Sequence, residues 1–324
     1  MTRQTTHKTK QFFFVLLKLS SVVAAFYFIY YKLTHNPELD FKDFTSFLLK
    51  SDVFYLKNIV FLVFLSLLNW FFEVLKWQTL VGLIKEITFK QALEQTLGSL
   101  TVSLFTPNRI GEYGAKALYF VKSDRKLVVL ITLVSNILQM LVTTILGVSG
   151  GIFFLQRYPL EADFHGVIKV LFLGGLVFMG LSYFVKRYLC GVFKIQILKI
   201  QRLIKQVSLQ IIGFGFLLSL CRYVIFSFQF YYVLSVFGIE ITYLNAMVVI
   251  TFMYFLASVW PSIFLFDVLI KGSVAVYLFS FLNISAFAVL ASVTIMWLLN
   301  FVLPSFFGSY YVMRFSFSKN TPSI

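Results

Sequence analysis

Two short windows of the chain carry charged residues whose types and spacing could bind an anion within an apolar protein. The first window, residues 106–120, reads "TPNRIGEYGAKALYF". Glu112 lies five residues after Pro107 and four before Lys116, so on a helix the acid and the lysine share one face. Pro107 and Gly111 are predicted to break the helix. Glu112 would then lie near the start of the next helix, where the helix dipole favours a negative charge.

The second window, residues 261–272, reads "PSIFLFDVLIKG" and repeats the order of the first. Asp267 follows Pro261 by six residues, and Lys271 follows Asp267 by four. Both windows therefore have a proline, then an acid, then a lysine one helical turn later. Broken helices in each half of a chain are typical of inverted repeats that form a transport site near the membrane midplane. Taken alone, the first window also fits a capped helix start with a surface ion pair, which stabilises by only about 0.3–0.5 kcal/mol.

Polar residues also interrupt the long apolar runs. In "NWFFEVLKW" the side chains of Asn69, Glu73 and Lys76 share a helical face, although Lys76 at a helix end could instead extend to the membrane surface. In "CRYVIFSFQFYY" Arg222 and Gln229 share a face. A charge inside a membrane span is costly and usually faces the protein interior, so Arg222 needs an acidic partner. The acids available to it are Glu112, Glu73 and Asp267.

The third long apolar run contains two further patterns. Asn136, Gln139 and Thr143 share one face, and we expect them to form hydrogen bonds between helices rather than to bind a ligand. Gly147 and Gly151 form a G-x-x-x-G pattern, which permits two helices to pack closely.

The composition places all of these residues in a membrane protein. Of the 324 residues 59% are hydrophobic and only 13% are charged, against about 25% charged in soluble domains. The net charge of +15 could suggest nucleic acid binding. The Lys and Arg residues, however, lie in short loops between apolar runs, where they orient membrane helices and attract anionic lipids. We therefore expect a membrane and no nucleic acid as partner.

The apolar runs predict an all-α polytopic fold. Six runs have about the length of a spanning helix, roughly 20 residues, or are longer. They cover about residues 11–31, 53–81, 127–147, 167–185, 209–237 and 285–313. The Lys and Arg residues of the short loops predict that both termini lie in the cytoplasm.

This orientation requires residues 85–126 to enter and leave on the cytoplasmic side, and residues 243–283 on the outer side. The simplest solution is six full transmembrane helices plus two re-entrant helical hairpins, although two complete crossings per hairpin would preserve the same orientation. We expect a single integral membrane domain over residues 1–324. Residues 11–150 and 166–313 are its candidate repeats.

Catalytic patterns are missing from the sequence. It has no G-x-S-x-G, no H-E-x-x-H, no Gly-rich nucleotide loop with its lysine and no D-x-D cluster. We therefore expect neither an enzyme nor a cofactor or metal site. Two alternatives to transport stay open: a non-catalytic membrane subunit of a lipid-linked glycan or lipid-modifying enzyme system, and a structural scaffold.

The first window resembles the P-x-R-x-G-E segment of the lysylphosphatidylglycerol synthase transmembrane region family, also called flippase-like domain proteins. "LNWFFEVLKWQTL" and "LCRYVIFSFQFYYVL" are similar to other segments of that family, and the resemblance covers about residues 10–315. It implies a polytopic inner-membrane protein that moves lipids or lipid-linked intermediates between leaflets. Larger members continue into a soluble aminoacyltransferase domain. This sequence ends at Ile324 without one, so lipid aminoacylation is not expected.

The resemblance can be carried to single positions. The motif residues of the first window are Pro107, Arg109, Gly111 and Glu112. The second window departs from the family, because many members have a Gly-rich turn and a Glu where this chain has three apolar residues and Asp267. Lys116 and Lys271 stand where arginine is frequent.

Together with the resemblance, these residues predict a membrane lipid translocase for an anionic phospholipid or a polyprenyl-phosphate-linked lipid. A homo-oligomer stays open. The cations that would neutralise a phosphate in an internal cavity are Arg109, Lys116, Arg222 and Lys271, with Gln229 as a polar contact. The acids that would hold these cations are Glu73, Glu112 and Asp267.

Overall fold

The computed structural model describes residues 52–104, 106, 109–158, 208–259 and 264–315, with only the backbone for residues 264–270. Within these ranges the chain is helical and forms no strand. A short 3-10 turn at Asp52–Phe54 precedes the first helix. The helices are α1 (Leu56–Val81), α2 (Phe89–Ser103), α3 (Gly111–Leu118), α4 (Arg125–Arg157), α5 (Leu209–Val236), α6 (Tyr243–Val259), α7 (Phe264–Ser280), α8 (Ala286–Trp297) and α9 (Leu303–Arg314). A π-helical segment, Leu298–Val302, joins α8 to α9.

Four helical segments of the described chain are long and apolar enough to cross a membrane. They are Leu56–Val81, Arg125–Arg157, Leu209–Val236 and Ala286–Arg314, the last formed by α8, the π-helical segment and α9. These four confirm four of the six predicted spans. The other two, at about residues 11–31 and 167–185, lie outside the described residues.

Each predicted hairpin contains two helices that are shorter than a full span. The helices α2 and α3 have 15 and 8 residues, and α6 and α7 have 17 each, whereas a span needs about 20. Both pairs are separated where the prolines predicted a break. Pro107 and Pro261 themselves lie outside the described residues. Whether each hairpin re-enters the membrane from one side or crosses it twice is not decided by these lengths, so the re-entrant hairpins stay a prediction.

The main helix contacts follow the same pattern in both halves. The helix α1 packs along α5. Contacts of α3 with α2 and α4 match those of α7 with α6 and α8, and the packing of α4 on α6 matches that of α9 on α2. The exchange that leaves these pairs unchanged matches α1, α2 and α3 with α5, α6 and α7, and matches α4 with the continuous span of α8 and α9. Such a correspondence is what a two-fold repeat would give. The inverted orientation of the two repeats stays a prediction.

Glycines permit the two matching helix crossings to be close. Gly147, Gly150 and Gly151 of α4 lie against α6, and Gly308 of α9 lies against α2. A Cβ atom on any of the four would approach a side chain or a carbonyl oxygen of the facing helix to within 3 Å. The predicted role of the G-x-x-x-G pattern in close packing is therefore confirmed.

The α4–α6 contact gives a stability prediction with a matched control. A methyl group at Gly150 would overlap Thr251 and lie 2.9 Å from the carbonyl oxygen of Val248. We expect Gly150→Ala to lower the free energy of unfolding by about 1–3 kcal/mol, as overpacking does. At Gly213 on α5 nothing lies within 4 Å of an added Cβ, so Gly213→Ala should be neutral or stabilise by up to about 1 kcal/mol. Thermal unfolding of both variants in detergent is the measurement, and equal losses would contradict the close crossing.

The apolar core surrounds a central polar region. A larger cluster of buried apolar side chains lies mainly on α5, α6, α7 and α8, and a smaller one lies on α1 to α4. The buried charged side chains lie on α1 and α3, which both contribute to the smaller cluster.

Candidate anion site

A cavity of about 420 Å³ borders the larger core cluster, which contributes Tyr223 and Tyr254 to its lining. Its walls come from α1, α4, α5, α6, α7, the π-helical segment and the turn that precedes α3. Three of the predicted cations, Arg109, Arg222 and Lys271, line this cavity. The structure thus brings together cations that are far apart in the sequence. The other polar lining residues are Asn69, Thr106, Gln139, Thr143, Tyr223, Tyr254, Ser258 and Asn300.

Glu73 on α1 joins two cations, and we call Lys76, Glu73 and Arg222 the Glu73 group. The Oε2 atom of Glu73 lies 2.6 Å from Nη1 of Arg222 and 2.7 Å from Nζ of Lys76. The Nε atom of Arg222 donates to Oδ1 of Asn69 at 3.1 Å. The structure therefore selects Glu73 from the three acids predicted as partners of Arg222. Lys76 is only 1% exposed, so the alternative in which it extends to the membrane surface is wrong.

Glu112 on α3 joins two further cations, and we call Arg109, Glu112 and Lys116 the Glu112 group. Its Oε1 atom lies 2.8 Å from Nζ of Lys116, and its Oε2 atom lies 3.4 Å from Nη2 of Arg109. Lys116 is fully buried, with Nζ 4.1 Å from the centre of the Trp77 ring. This burial excludes the alternative of a surface ion pair. Lys116 also lies behind Glu112 and outside the cavity lining, which corrects its predicted contact with a phosphate.

The two groups share one arrangement. In each, a buried lysine holds the glutamate from the protein interior, and the glutamate holds an arginine that faces the cavity. The lysine side chains are at most 1% exposed, whereas those of Arg109 and Arg222 are 40% and 19% exposed. Each group contains two cations and one carboxylate. Each group therefore has a net charge of +1, and the arginine is the cation that a ligand can reach.

The position of Arg109 depends on the turn before α3. Its φ of 57° lies in the left-handed region, which is uncommon for residues other than glycine and recurs at functional sites. The Oγ1 atom of Thr106 accepts a hydrogen bond from the Gly111 amide at 2.8 Å and donates to the Ser103 carbonyl at 2.9 Å. Gly111 was predicted to break the helix, but it is the first residue of α3. It has to be small, because a Cβ atom there would lie 2.9 Å from the Thr106 side chain.

Asn300 in the π-helical segment is the central polar residue that the sequence analysis missed. Its Oδ1 atom accepts from Nδ2 of Asn69 at 2.9 Å, and its Nδ2 atom donates to Oε1 of Gln229 at 2.9 Å. The Trp70 indole donates to the Asn300 carbonyl at 3.2 Å. That carbonyl is available because Pro304, four residues later, has no N–H to donate to it. An asparagine in an apolar run four residues before a proline was the signal that could have identified it.

Gln229 lies behind the cavity wall and not in its lining. Its Nε2 atom donates to the Leu62 carbonyl and to Oγ of Ser66, both at 2.9 Å. The residue is fully buried. The hydrogen bonds of Gln229 join α5 to α1 and to the π-helical segment. This position corrects the predicted direct contact with substrate.

The polar residues on one face of α4 have two different roles. The Asn136 amide donates to the Tyr113 hydroxyl at 2.9 Å, so its predicted role between helices is confirmed. Gln139 and Thr143 line the cavity instead.

Several polar atoms of cavity-lining residues are buried and have no hydrogen-bond partner among the described residues. They are Nε of Arg109, Oε1 of Gln139 and the hydroxyl groups of Tyr223 and Tyr254. Most buried polar atoms in folded proteins are paired. These four atoms are therefore available to bind a ligand.

Lys271 on α7 completes the cationic lining. Its Nζ atom lies 5.2 Å from the centre of the Phe301 ring, and Cζ of Arg109 lies 5.9 Å from the same ring. The side chain of Asp267 lies outside the described residues. In the part of the chain whose side chains are described, His, Cys, Asp and Glu residues form no group of three that could bind a metal ion.

The fold and the cavity together define a polytopic α-helical membrane protein with a cationic internal cavity. The chain belongs to the family described as lysylphosphatidylglycerol synthase TM region, which it matches over residues 15–308. The resemblance found in the sequence is thereby confirmed. No curated protein and no solved structure matches the chain significantly.

Proposed function

We propose that this protein binds an anionic lipid by its head group in the cavity and moves the lipid between the two leaflets of the inner membrane. The observation that carries this proposal is the convergence of Arg109, Arg222 and Lys271 on one cavity among membrane-spanning helices. Charges at such depth are costly and recur on substrate pathways. The family name, which refers to the membrane region of a lipid synthase, supports a lipid as the substrate.

The ion pairs suggest how the cations stay available. Glu73 and Glu112 hold the two arginines in position at the cavity, and we expect Asp267 to do the same for Lys271 one helical turn away. A phosphate entering the cavity would form charge-assisted hydrogen bonds with all three cations. The family and the charges together favour transport over catalysis.

An apolar pocket beside the cavity suggests where the lipid tail begins. This small pocket shares Phe226, Tyr254, Lys271 and Phe301 with the cavity. The rest of its lining is apolar apart from the Trp297 indole. A head group at the cations would therefore have its first apolar carbons beside aromatic rings. Rocking of the two broken-helix hairpins would open the cavity to each leaflet in turn.

The test is lipid movement in proteoliposomes made with the purified full chain. Fluorescent anionic phospholipids, a fluorescent polyprenyl phosphate and a zwitterionic control lipid are placed in one leaflet, and their appearance in the other is followed. We expect faster exchange of an anionic lipid than in protein-free vesicles. The control variant is Arg157→Gln, because Arg157 is exposed at the end of α4 and donates to Asn245 far from the cavity lining. If no lipid moves faster than in empty vesicles, the proposal is wrong.

The tyrosine hydroxyls give a prediction that separates binding from folding. The Tyr223 hydroxyl has no partner in the described structure, so Tyr223→Phe should leave the unfolding temperature unchanged. It should slow lipid movement by about 2- to 10-fold, the value of one hydrogen bond. The matched control is Tyr232→Phe, because the Tyr232 hydroxyl donates to Oδ1 of Asn58 at 2.8 Å. That variant should lose stability and keep transport. The reverse pattern would exclude Tyr223 from the binding site.

A further inference from the structure

The charges around the cavity do not cancel. The Glu73 group and the Glu112 group each contain two cations and one carboxylate, so together they have a net charge of +2. Lys271 is left out of this sum, because Asp267 one turn before it on α7 is its expected partner. A net charge held among apolar helices is stabilised by a bound counter-charge. The cavity thus fits a ligand with two negative charges better than one with a single charge.

The unpaired polar atoms point to the same chemistry. Three of them are donors: Nε of Arg109 and the hydroxyl groups of Tyr223 and Tyr254. A phosphate monoester offers three terminal oxygens as acceptors and carries about −1.5 to −2 at pH 7, whereas a diester has two terminal oxygens and a single charge. The fourth atom, Oε1 of Gln139, is an acceptor.

We infer that the cavity selects lipids whose head group is a terminal phosphate monoester over lipids whose phosphate is a diester. The inference rests on the proposed function and narrows its substrate class. Two kinds of lipid present this chemistry, a diacylglycerol phosphate and a polyprenyl phosphate. The volume of the cavity, about 420 Å³, is in the range of ordinary ligand sites and suits a head group, with the tail outside it.

A matched lipid pair tests the charge directly. Phosphatidic acid and phosphatidylmethanol with the same acyl chains differ by one methyl group, which removes one charge and one acceptor oxygen. Binding to the purified full chain in detergent is measured as a rise of its unfolding temperature. We expect phosphatidic acid to produce half of its maximal rise in unfolding temperature at a concentration about tenfold lower than phosphatidylmethanol does. The reason is that the diester lacks one hydrogen bond to a charged group. A polyprenyl phosphate is the third ligand. If it binds more strongly than phosphatidic acid does, the preferred lipid has a polyprenyl tail.

The pH dependence supplies a second readout. The second pKa of a phosphate monoester is about 6, so below that pH the free lipid must lose a proton before it binds as a dianion. The preference for phosphatidic acid should therefore shrink from about pH 7.5 to about pH 5.5, where the monoester is mostly a monoanion. The affinity for phosphatidylmethanol should change less. A preference that stays the same over this range contradicts the inference.

The variants and the transport assay keep the two proposals apart. The double variant Tyr223→Phe, Tyr254→Phe should weaken phosphatidic acid binding more than phosphatidylmethanol binding, while Tyr232→Phe should change neither. If phosphatidic acid and phosphatidylmethanol bind equally and either one is moved in proteoliposomes, the monoester inference is wrong and the proposed function is still supported. If neither lipid binds and no anionic lipid moves, both proposals are wrong.

Discussion

Replacement of Glu73 by glutamine is expected to lower the free energy of unfolding by about 3–5 kcal/mol, because it removes the acid from a buried ion pair. One carboxylate oxygen serves both Arg222 and Lys76, at 2.6 and 2.7 Å. An amide of the same size would keep the shape and remove the charge, so the buried Lys76 and the cavity-lining Arg222 would both lose their counter-charge. Unfolding of the purified variant in detergent, followed by denaturant or temperature, measures the loss.

Two further variants show whether the lost charge is the cause. Glu86→Gln removes an acid from an exposed position before α2, and it should leave the stability within about 0.5 kcal/mol of the parent. Adding Lys76→Met to Glu73→Gln removes one of the two cations left without an acid, and part of the stability should return. If Glu73→Gln unfolds with the same midpoint as Glu86→Gln, the Glu73 group does not stabilise the fold.

The spans could be predicted from the sequence because lipid imposes a simple requirement. A crossing helix needs about 20 apolar residues, and four helical segments of the described chain have that pattern. The predicted and observed bounds of α1 and α5 agree closely, whereas α4 ends at Arg157, well beyond its predicted end at residue 147. The need of Arg222 for an acid was equally predictable, since an unpaired charge at membrane depth is too costly to persist.

The choice of partner could not be predicted, because it is decided by packing between distant segments. Glu73 and Arg222 are 149 residues apart, and nothing local distinguishes Glu73 from the other two acids. Lys116 was placed in the site for a related reason. An i, i+4 pair of Glu112 and Lys116 has the same sequence on a surface as in a core, and only the contact with Trp77 shows that it is buried.

The tyrosines and Asn300 were missed because their function depends on irregular structure. Tyr223 and Tyr254 lie in apolar runs, where an aromatic residue normally packs against lipid or core, and no sequence pattern shows that a hydroxyl lacks a partner. Asn300 accepts the Trp70 indole N–H through its own carbonyl, which lacks its usual i+4 donor because residue 304 is a proline. The charges of the site were thus predictable, whereas the hydrogen-bond donors and acceptors around them were not.

Arg222→Gln is expected to slow lipid movement strongly and to leave the protein folded. Glu73 would keep Lys76 at 2.7 Å, so its carboxylate would still have a counter-charge. The cavity, however, would lose one of its three cations, and the net charge of the Glu73 group would fall from +1 to zero. A hydrogen bond to a charged group is worth about 1.5–3 kcal/mol, so the transport rate should fall by about 10- to 100-fold. Lipid exchange in proteoliposomes is the measurement, with the unfolding temperature as the control for folding.

The conservative variant Arg222→Lys separates charge from geometry. Lysine keeps the positive charge, but it cannot reproduce the fork that contacts both Glu73 and Asn69. Transport should therefore be partly restored relative to Arg222→Gln, while Arg157→Gln at the exposed end of α4 keeps the parent rate. A scaffold without a lipid site predicts equal rates for all of these variants. Glu73→Gln removes the acid of one ion pair, and Arg222→Gln removes its cation. If Glu73→Gln loses stability while Arg222→Gln loses only transport, then the acid stabilises the fold and the arginine binds the ligand.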